Sequence, residues 1–440
     1  MKGMWPMLGW IAVGLALLVS FGVDLANTAQ GGAIDLRNRI TGVRLWEHGI
    51  DAYHYKWHEG DAEEYGDVYN NPKLPVSKTT ATPALLLVQA PLAAMPYRLA
   101  QLTWLGLQWA LLLGTGWLWL RACGEAWQRW AMAIFLTGFT YTAAWRLHAE
   151  RGQAYVLLAF LFALWATATL DGKRGRGFWA GFVAGVLVAL RPPFLLLAPF
   201  LAWHRRRQLV GAAVGLALGF GLPLLMNPAA WPQAGGWTDY FSAMQTHSEL
   251  YRNDVDPAPG PQHYPAKMEG IPTDILGSYV AIPYADFSVY ALLKALGLEQ
   301  SWLGDEAVPA WVPLLLLALL FAFWLWWMRG RAGETMVPGL AAWLFLADSF
   351  LPAYRDSYND VLVLNVVFAG LIASRRIPWA AWPCVLALPA GWAVYVLAPE
   401  QAWVIDVPTA LFALGAVLTA ARRTFLFNNR AGSRKVEAAC

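Results

Sequence analysis

Charged residues are scarce in this chain. They make up 14% of its 440 residues, against 58% hydrophobic, where a soluble domain carries about 25% charged. That balance excludes an ordinary soluble domain and points to an integral membrane protein. Cysteine is scarcer still: Cys123, Cys384 and Cys440 are the three. The topology below puts the first and last in the cytoplasm and the middle one inside a helix, so neither a structural disulfide nor a metal site is expected. Net charge is only +3, which gives no reason to invoke nucleic acid. Several motifs are missing: there is no Walker-type glycine loop, no dinucleotide fingerprint, no His-Glu-x-x-His and no Gly-x-Ser-x-Gly elbow. An ATP-driven pump and a soluble-type hydrolase are disfavoured on that ground. No internal repeat is visible.

What the chain has in plenty is apolar runs and tryptophan. Many of the 26 Trp stand near run ends, as Trp5, Trp104, Trp119, Trp203, Trp311 and Trp379 do, where an indole can sit at a membrane interface. Candidate spans are 5–23, 83–97, 99–120, 128–145, 153–170, 178–190, 194–203, 208–226, 309–328, 336–352, 359–374, 379–397 and 405–421. The basic clusters decide which of them cross. Lys173-Arg174-Gly175-Arg176, His204-Arg205-Arg206-Arg207, Arg329-Gly330-Arg331, Arg375-Arg376 and the tail from Arg422 to Lys435 all belong in the cytoplasm, because short Lys/Arg-rich loops stay there. With every candidate crossing, the Lys173 loop would emerge outside. Segment 83–97 is the weakest candidate: it is short, holds Gln89 and is broken by Pro91 and Pro96. Read as a helix at the outer interface, it restores every later loop to the cytoplasm. The expected fold is an all-α polytopic membrane protein with twelve transmembrane helices, an uncleaved first helix and both termini inside. Its divisions are a first transmembrane module at 1–226 with an external loop at 24–98, a second external loop at 227–308, a C-terminal transmembrane module at 309–421 and a cytoplasmic tail at 422–440.

The remaining polar residues then gather outside. In Ile34–Trp46, Leu36, Ile40 and Val43 recur at helical spacing, while Asp35, Arg37 and Arg39 point elsewhere. The pattern predicts an amphipathic helix on a membrane surface. Such a helix needs the bases but not the acid, which singles out Asp35. Gly49 ends this stretch, and Asp51 and Tyr53 follow in a turn. A carboxylate beside a ring suits a sugar's hydroxyls and C–H face. The short external end Trp145–Gln153 holds Arg146, His148, Glu150, Arg151 and Gln153. Arg191-Pro192-Pro193 interrupts what would otherwise be one long helix, and an arginine there needs a partner. A lipid phosphate, gripped by the guanidinium fork, is a natural one. Tyr354-Arg355-Asp356-Ser357-Tyr358-Asn359-Asp360 is a further charged external turn. No nucleotide-sugar domain is present, so a glycosyl donor used on this face would be carried on a lipid.

In this order and spacing, the motifs resemble the GT-C superfamily of membrane glycosyltransferases, and most closely glycosyltransferase family 87, the polyprenyl-phosphomannose-dependent mannosyltransferases. Asp35-Leu36 stands at the family's acidic start. Gly49-Ile50-Asp51-Ala52-Tyr53 stands at its Gly-x-Asp-Pro-Tyr, with Ala52 at the usual proline. Ala81-Thr82-Pro83 stands at its Tyr-Pro-Pro-like helix start, with Thr82 where Tyr-Pro is usual, Gly152-Gln153 at its Gly-Gln pair and Arg191-Pro192 at its basic residue before proline. Leu351-Pro352-Ala353-Tyr354-Arg355-Asp356 replaces the late Ser-Pro-x-x-Trp-x-His-His, which leaves the sugar open.

The resemblance implies an inverting transfer of one sugar from a polyprenyl-phosphate donor to a glycan, glycolipid or protein acceptor. The reaction would take place on the extracytoplasmic face of the cytoplasmic membrane. Asp35 would be the general base, and Arg191, Arg146, Arg151 and Arg37 would hold the donor phosphate. Asp51, Tyr53, His148, Glu150, Gln153, Tyr354, Arg355, Asp356 and Asp360 would contact sugar or acceptor. No cofactor is expected; a divalent cation bridging Asp35 and the phosphate stays open. Three other readings also stay open: an arabinofuranosyltransferase, a lipid-linked glycan polymerase or ligase, and a lipid or sugar transporter. Transporters place their charges near the midplane of broken helices, and charges clustered at the outer ends disfavour that reading.

Overall fold

A computed structural model describes residues 4–30, 33–58, 60–66, 74–171, 176–226, 236–252, 311–328, 336–349 and 357–373. The described residues contain α-helices and short 3-10 turns and no strand. In chain order the helices are α1 Met4–Gln30, α2 Ile34–Glu47, α3 Pro83–Ala93, α4 Tyr97–Ala122, α5 Ala126–Phe139, α6 Ala143–Glu150 and α7 Tyr155–Asp171. They continue as α8 Gly177–Leu190, α9 Leu197–His204, α10 Arg206–Met226, α11 Trp237–Arg252, α12 Trp311–Trp327, α13 Val337–Ser349 and α14 Val363–Ala373. The expected spans 379–397 and 405–421, the tail, and the second external loop apart from α11 lie outside the described residues.

Local sequence sets several boundaries. Thr82 caps α3 by accepting from the Leu85 N–H at 3.3 Å, with Pro83 as the first helical residue. The eleven residues of α3 reach about 16 Å, too short to cross a bilayer core of about 30 Å. Glu125 and Gln128 form a capping box at the start of α5. The expected span 128–145 stops early: α5 ends at Phe139, and Thr142 caps a new helix, α6, through the Trp145 N–H. α6 and α7 then meet at a 113° bend. By length and composition alone α1 and α10 suffice to cross a membrane, and a third span arises if α6 and α7 count together. α4, with 26 residues, is long enough but less apolar, and several other apolar helices, such as Gly177–Leu190 and Val337–Asp348, are shorter than the expected crossings would suggest.

The closest packing joins α8 to α10. A Cβ added at Gly181, Gly185, Gly211 or Gly215 would strike the backbone of the opposing helix, the small-residue contact by which apolar helices approach without a hydrophobic driving force. The contacts pair Phe178 with Gly211, Phe182 with Gly215 and Ala189 with Gly219. Residue numbers rise together, so the two helices run parallel. The chain between them must therefore return the length of α8. The 3-10 turn Pro192–Leu196 and α9 together come close to the length of α8, whose fourteen residues span about 21 Å.

This arrangement gives the bundle two chemically different ends. At one end the Gly177 Cβ position lies 3.7 Å from Arg207 Cβ, and Arg176 pairs with Asp171 at 2.6 Å. The start of α1 is at this end too, with Trp10 stacked on Trp130 at 4.6 Å. Arg191, at the far end of α8, lies at the opposite end. There it meets Tyr155 at the start of α7, with the ring centroid 5.3 Å away. Arg176 and Arg207, one from each of two basic clusters expected in the cytoplasm, thus sit at the same end, a helix length from Arg191.

One expectation fails here. α2 is not a helix lying on a membrane surface, because its polar side is covered by protein as fully as its apolar stripe. Leu36, Ile40 and Val43 are buried, and so are Arg37, Arg39, Thr41 and Arg44. The arginines find protein acceptors in place of lipid headgroups. Arg44 donates to the carbonyls of Ala93 and Met95 at 3.2 and 3.4 Å, Arg37 to that of Glu63 at 3.2 Å, and Arg39 to Gln89 Oε1 at 2.8 Å.

Candidate active site

The N-terminus of α2 docks onto the short turn between α6 and α7. The Asp35 and Leu36 N–H groups both donate to the Arg151 carbonyl at 3.2 Å, satisfying donors that a helix start leaves over. Gly152 has φ +70°, and a Cβ on it would lie 2.7 Å from Leu36 Cβ, so both the backbone conformation and the close approach require glycine. Its carbonyl accepts from Trp104 Nε1 at 2.8 Å and from Arg39 Nη2. Gln108 of α4 donates to the carbonyls of His148 and Gln153 at 3.1 and 2.9 Å.

Held this way, the turn grips the Asp35 carboxylate. Arg151 Nε donates to Oδ2 at 2.5 Å and Arg151 Nη2 to Oδ1 at 3.1 Å, while Gln153 Nε2 donates to Oδ2 at 2.6 Å. Burial alone would push the Asp35 carboxyl up. The Arg151 charge and hydrogen bond, helped by Arg39 and Gln153, outweigh it and hold the group below its ordinary value of 3.8. The side chain is 18% exposed. A carboxylate has about four acceptor positions; Oδ2 takes two hydrogen bonds and Oδ1 takes one, which leaves a position on Oδ1.

A second ion pair stands across two tyrosines. Arg191 donates through Nε to Asp348 Oδ1 at 3.1 Å and through Nη2 to the same oxygen. Asn359 Nδ2 donates to the other oxygen, Oδ2, at 2.9 Å. Arg191 lies over the Tyr155 ring and Arg151 over the Tyr358 ring at 5.8 Å; the two rings are 6.0 Å apart. Asp35, Arg151, Tyr358, Tyr155, Arg191 and Asp348 therefore form one connected rim. α3 ties the rim to the first loop. Thr82 Oγ1 donates to the carbonyl of Leu190, next to Arg191, at 3.2 Å, and Tyr53 OH donates to the Ala81 carbonyl at 2.9 Å.

Residues 80–351 match the sequence model of glycosyltransferase family 87, which is more than half of the chain. The chain belongs to glycosyltransferase family 87. No curated protein and no solved structure matches it. The stretch matched to family 87 includes Thr82-Pro83, Gly152-Gln153 and Arg191-Pro192; Asp35 and Asp51 precede it. Arg151 and Gln153, inside the family-87 match, grip Asp35 outside it.

The other expected site residues divide. Gln153 touches Asp35. Asp51 caps its own turn, accepting from the Tyr53 N–H at 2.9 Å and meeting His54 Nδ1 at 2.7 Å. Tyr53 is fully buried against Tyr240, with ring centroids 5.7 Å apart. His148 is fully buried; its Nε2 accepts from the Val156 N–H at 3.1 Å, so that nitrogen carries no proton. Glu150 and Asp360 are buried. Arg146 is held by Asp24 of α1, whose Oδ2 also accepts from Trp145 and Trp109 Nε1 at 2.8 and 3.0 Å; this joint locks α1 to α6. Arg37 is buried over Tyr97, 5.3 Å from the ring centroid. Tyr354, Arg355 and Asp356 lie outside the described residues. Sequence reasoning did not single out Tyr155 or Gln108, named Tyr358 only within a charged turn, and read Trp104 as an interfacial indole, whereas it is buried and donates to the Gly152 carbonyl. The one signal for Gln108, and equally for Gln89, is an amide inside an otherwise apolar helix.

Proposed function

We propose that the chain transfers a single sugar from a polyprenyl-phosphate donor to a hydroxyl of a glycan, glycolipid or protein acceptor on the extracytoplasmic face of the cytoplasmic membrane. The observation that carries this reading is the shared rim. The Asp35 carboxylate and the Arg151 and Arg191 guanidinium groups lie at one end of the bundle, a helix length from Arg176 and Arg205–Arg207. Basic loops stay in the cytoplasm, which supports placing the rim on the other face. No nucleotide sugar is generally at hand there, and a lipid-carried donor enters from the bilayer.

The chemistry needs few parts. The acceptor hydroxyl approaches the open position on Asp35 Oδ1 and attacks the anomeric carbon. Its proton passes to Asp35 as the new C–O bond forms. The bond from the anomeric carbon to the phosphate oxygen breaks, and its electron pair leaves with the polyprenyl phosphate. That group departs as an anion and needs no proton. Arg191 and Arg151 stabilise its growing charge, which is the largest electrostatic task in the reaction. One displacement at one carbon inverts the configuration. A base held below the ordinary carboxylate range stays ionised at neutral pH; being weak, it takes the proton only as bond formation acidifies the hydroxyl.

The test is incubation of the purified protein with radiolabelled short-chain polyprenyl-phosphate mannose and polyprenyl-phosphate arabinofuranose. Release or transfer of one labelled sugar is expected. Turnover of a lipid-diphosphate oligosaccharide, or of a nucleotide sugar, with neither monophosphate used, would contradict the proposal.

A further inference from the structure

Arg191 is fixed before any ligand arrives. Asp348, which fixes it, comes from a helix more than 150 positions later in the chain, α13. Asp348 is 2% exposed and Arg191 28%. Both Asp348 oxygens are engaged, Oδ1 by Arg191 and Oδ2 by Asn359. A guanidinium has five N–H donors in a rigid plane. Asp348 takes the Nε–Nη2 edge, and Arg191 Nη1 makes no hydrogen bond to any described residue. Asp348 is the more deeply buried partner, and the edge of the partly exposed guanidinium that Asp348 does not take has no acceptor among the described residues. Tyr155 lies against the guanidinium plane at 5.3 Å and limits its swing.

We propose that Asp348 is a positioning residue that aims the free edge of Arg191 at the phosphate of the lipid donor, with Asn359 holding Asp348 in turn. This rests on the assignment of Arg191 to the donor phosphate made above. Arginine is valuable at a phosphate because its fork is pre-organised. An arginine at a Pro-broken hairpin has long-chain rotamer freedom, and a buried carboxylate on one edge removes it. Asn359 Oδ1 has no partner among the described residues. Turning that amide over lets it accept from an asparagine at position 348, so Asp348→Asn keeps the shape and the acceptor for Arg191. Asp348→Ala loses both.

The test measures binding of a short-chain polyprenyl phosphate, and of the uncharged polyprenol of the same length, to the full-length protein in nanodiscs. Asp348→Ala should weaken binding of the phosphate by about 10-fold and leave the alcohol unchanged. Asp348→Asn should stay within about 3-fold of the unsubstituted protein. Added to Arg191→Ala, the Asp348→Ala change should cost nothing more, because aiming an absent side chain has no effect; a general loss of structure would add. Phosphate binding as tight as before or tighter in Asp348→Ala would make Asp348 a competing anion and overturn the proposal. So would additive losses in the double variant, or an Asp348→Asn variant as weak as Asp348→Ala. Unchanged phosphate binding in Arg191→Ala overturns it together with the phosphate assignment, whereas failure of Asp348→Ala alone leaves that assignment standing.

Discussion

Gly152→Ala adds one methyl group, and the structure sets its cost. The residue has φ +70°, and its new Cβ would meet Leu36 Cβ at 2.7 Å, Ala33 Cβ at 3.5 Å and Trp104 Cδ1 at 3.5 Å. Placing alanine in the left-handed region costs about 1–2 kcal/mol. Crowding a packed site costs about 1–3 kcal/mol more. Leu36 belongs to the first turn of a buried helix and cannot swing away, so the turn itself must shift. The same turn carries Arg151 and Gln153, which hold Asp35, and a displacement of about 1 Å at a reacting group is worth about 10²-fold in rate. Turnover of a polyprenyl-phosphate sugar should therefore fall about 10²-fold and thermal stability should drop. Gly106→Ala is the control, since its Cβ would meet nothing within 4 Å. A Gly152→Ala enzyme matching the control in both rate and melting temperature would refute the reasoning.

Two further predictions follow from the site. Arg151→Gln removes the charge that holds Asp35 down while burial, which raises it, remains. The acid limb of kcat/KM should then move upward, with Arg39 and Gln153 still opposing burial, and a limb in its original place would contradict the account; by the same sign, the stability that ionised Asp35 contributes is present at neutral pH and lost as pH falls through its depressed value. Cysteines introduced at Glu63 and at Arg206, both exposed and at opposite ends, should react with a membrane-impermeant thiol reagent from opposite faces, and labelling of both from outside would overturn the sidedness.

Apolar periodicity and breakers made much of the helical order legible. The starts of α7, α8 and α10 fall within about two residues of the expected spans, within the usual scatter of such boundaries. The prolines at 91 and 96 marked α3 as too short to cross. Long-range hydrogen bonding was the part the sequence could not show. The Leu36–Ile40–Val43 stripe reads as a surface helix until the carbonyls of Ala93, Met95 and Gly152 appear as acceptors for its arginines. Arg146 and Arg151 look equivalent in one short segment, yet one is taken by Asp24 and the other by Asp35. The break between α5 and α6 depends on a Thr142 cap inside a run whose composition stays apolar. Arg191 was expected to need a partner; nothing in local sequence named Asp348.

The central claim is that Asp35 is the base in sugar transfer from a lipid phosphate. The most direct measurement compares turnover of a polyprenyl-phosphate sugar by the unsubstituted enzyme and by Asp35→Asn, with donor affinity determined alongside. The substitution keeps size and loses the proton acceptor. Turnover should fall about 10²–10⁴-fold while donor affinity changes little, because the proposal gives the phosphate to Arg191 and not to Asp35. Near-normal turnover in Asp35→Asn, above all beside an inactive Asp51→Asn, would contradict the account.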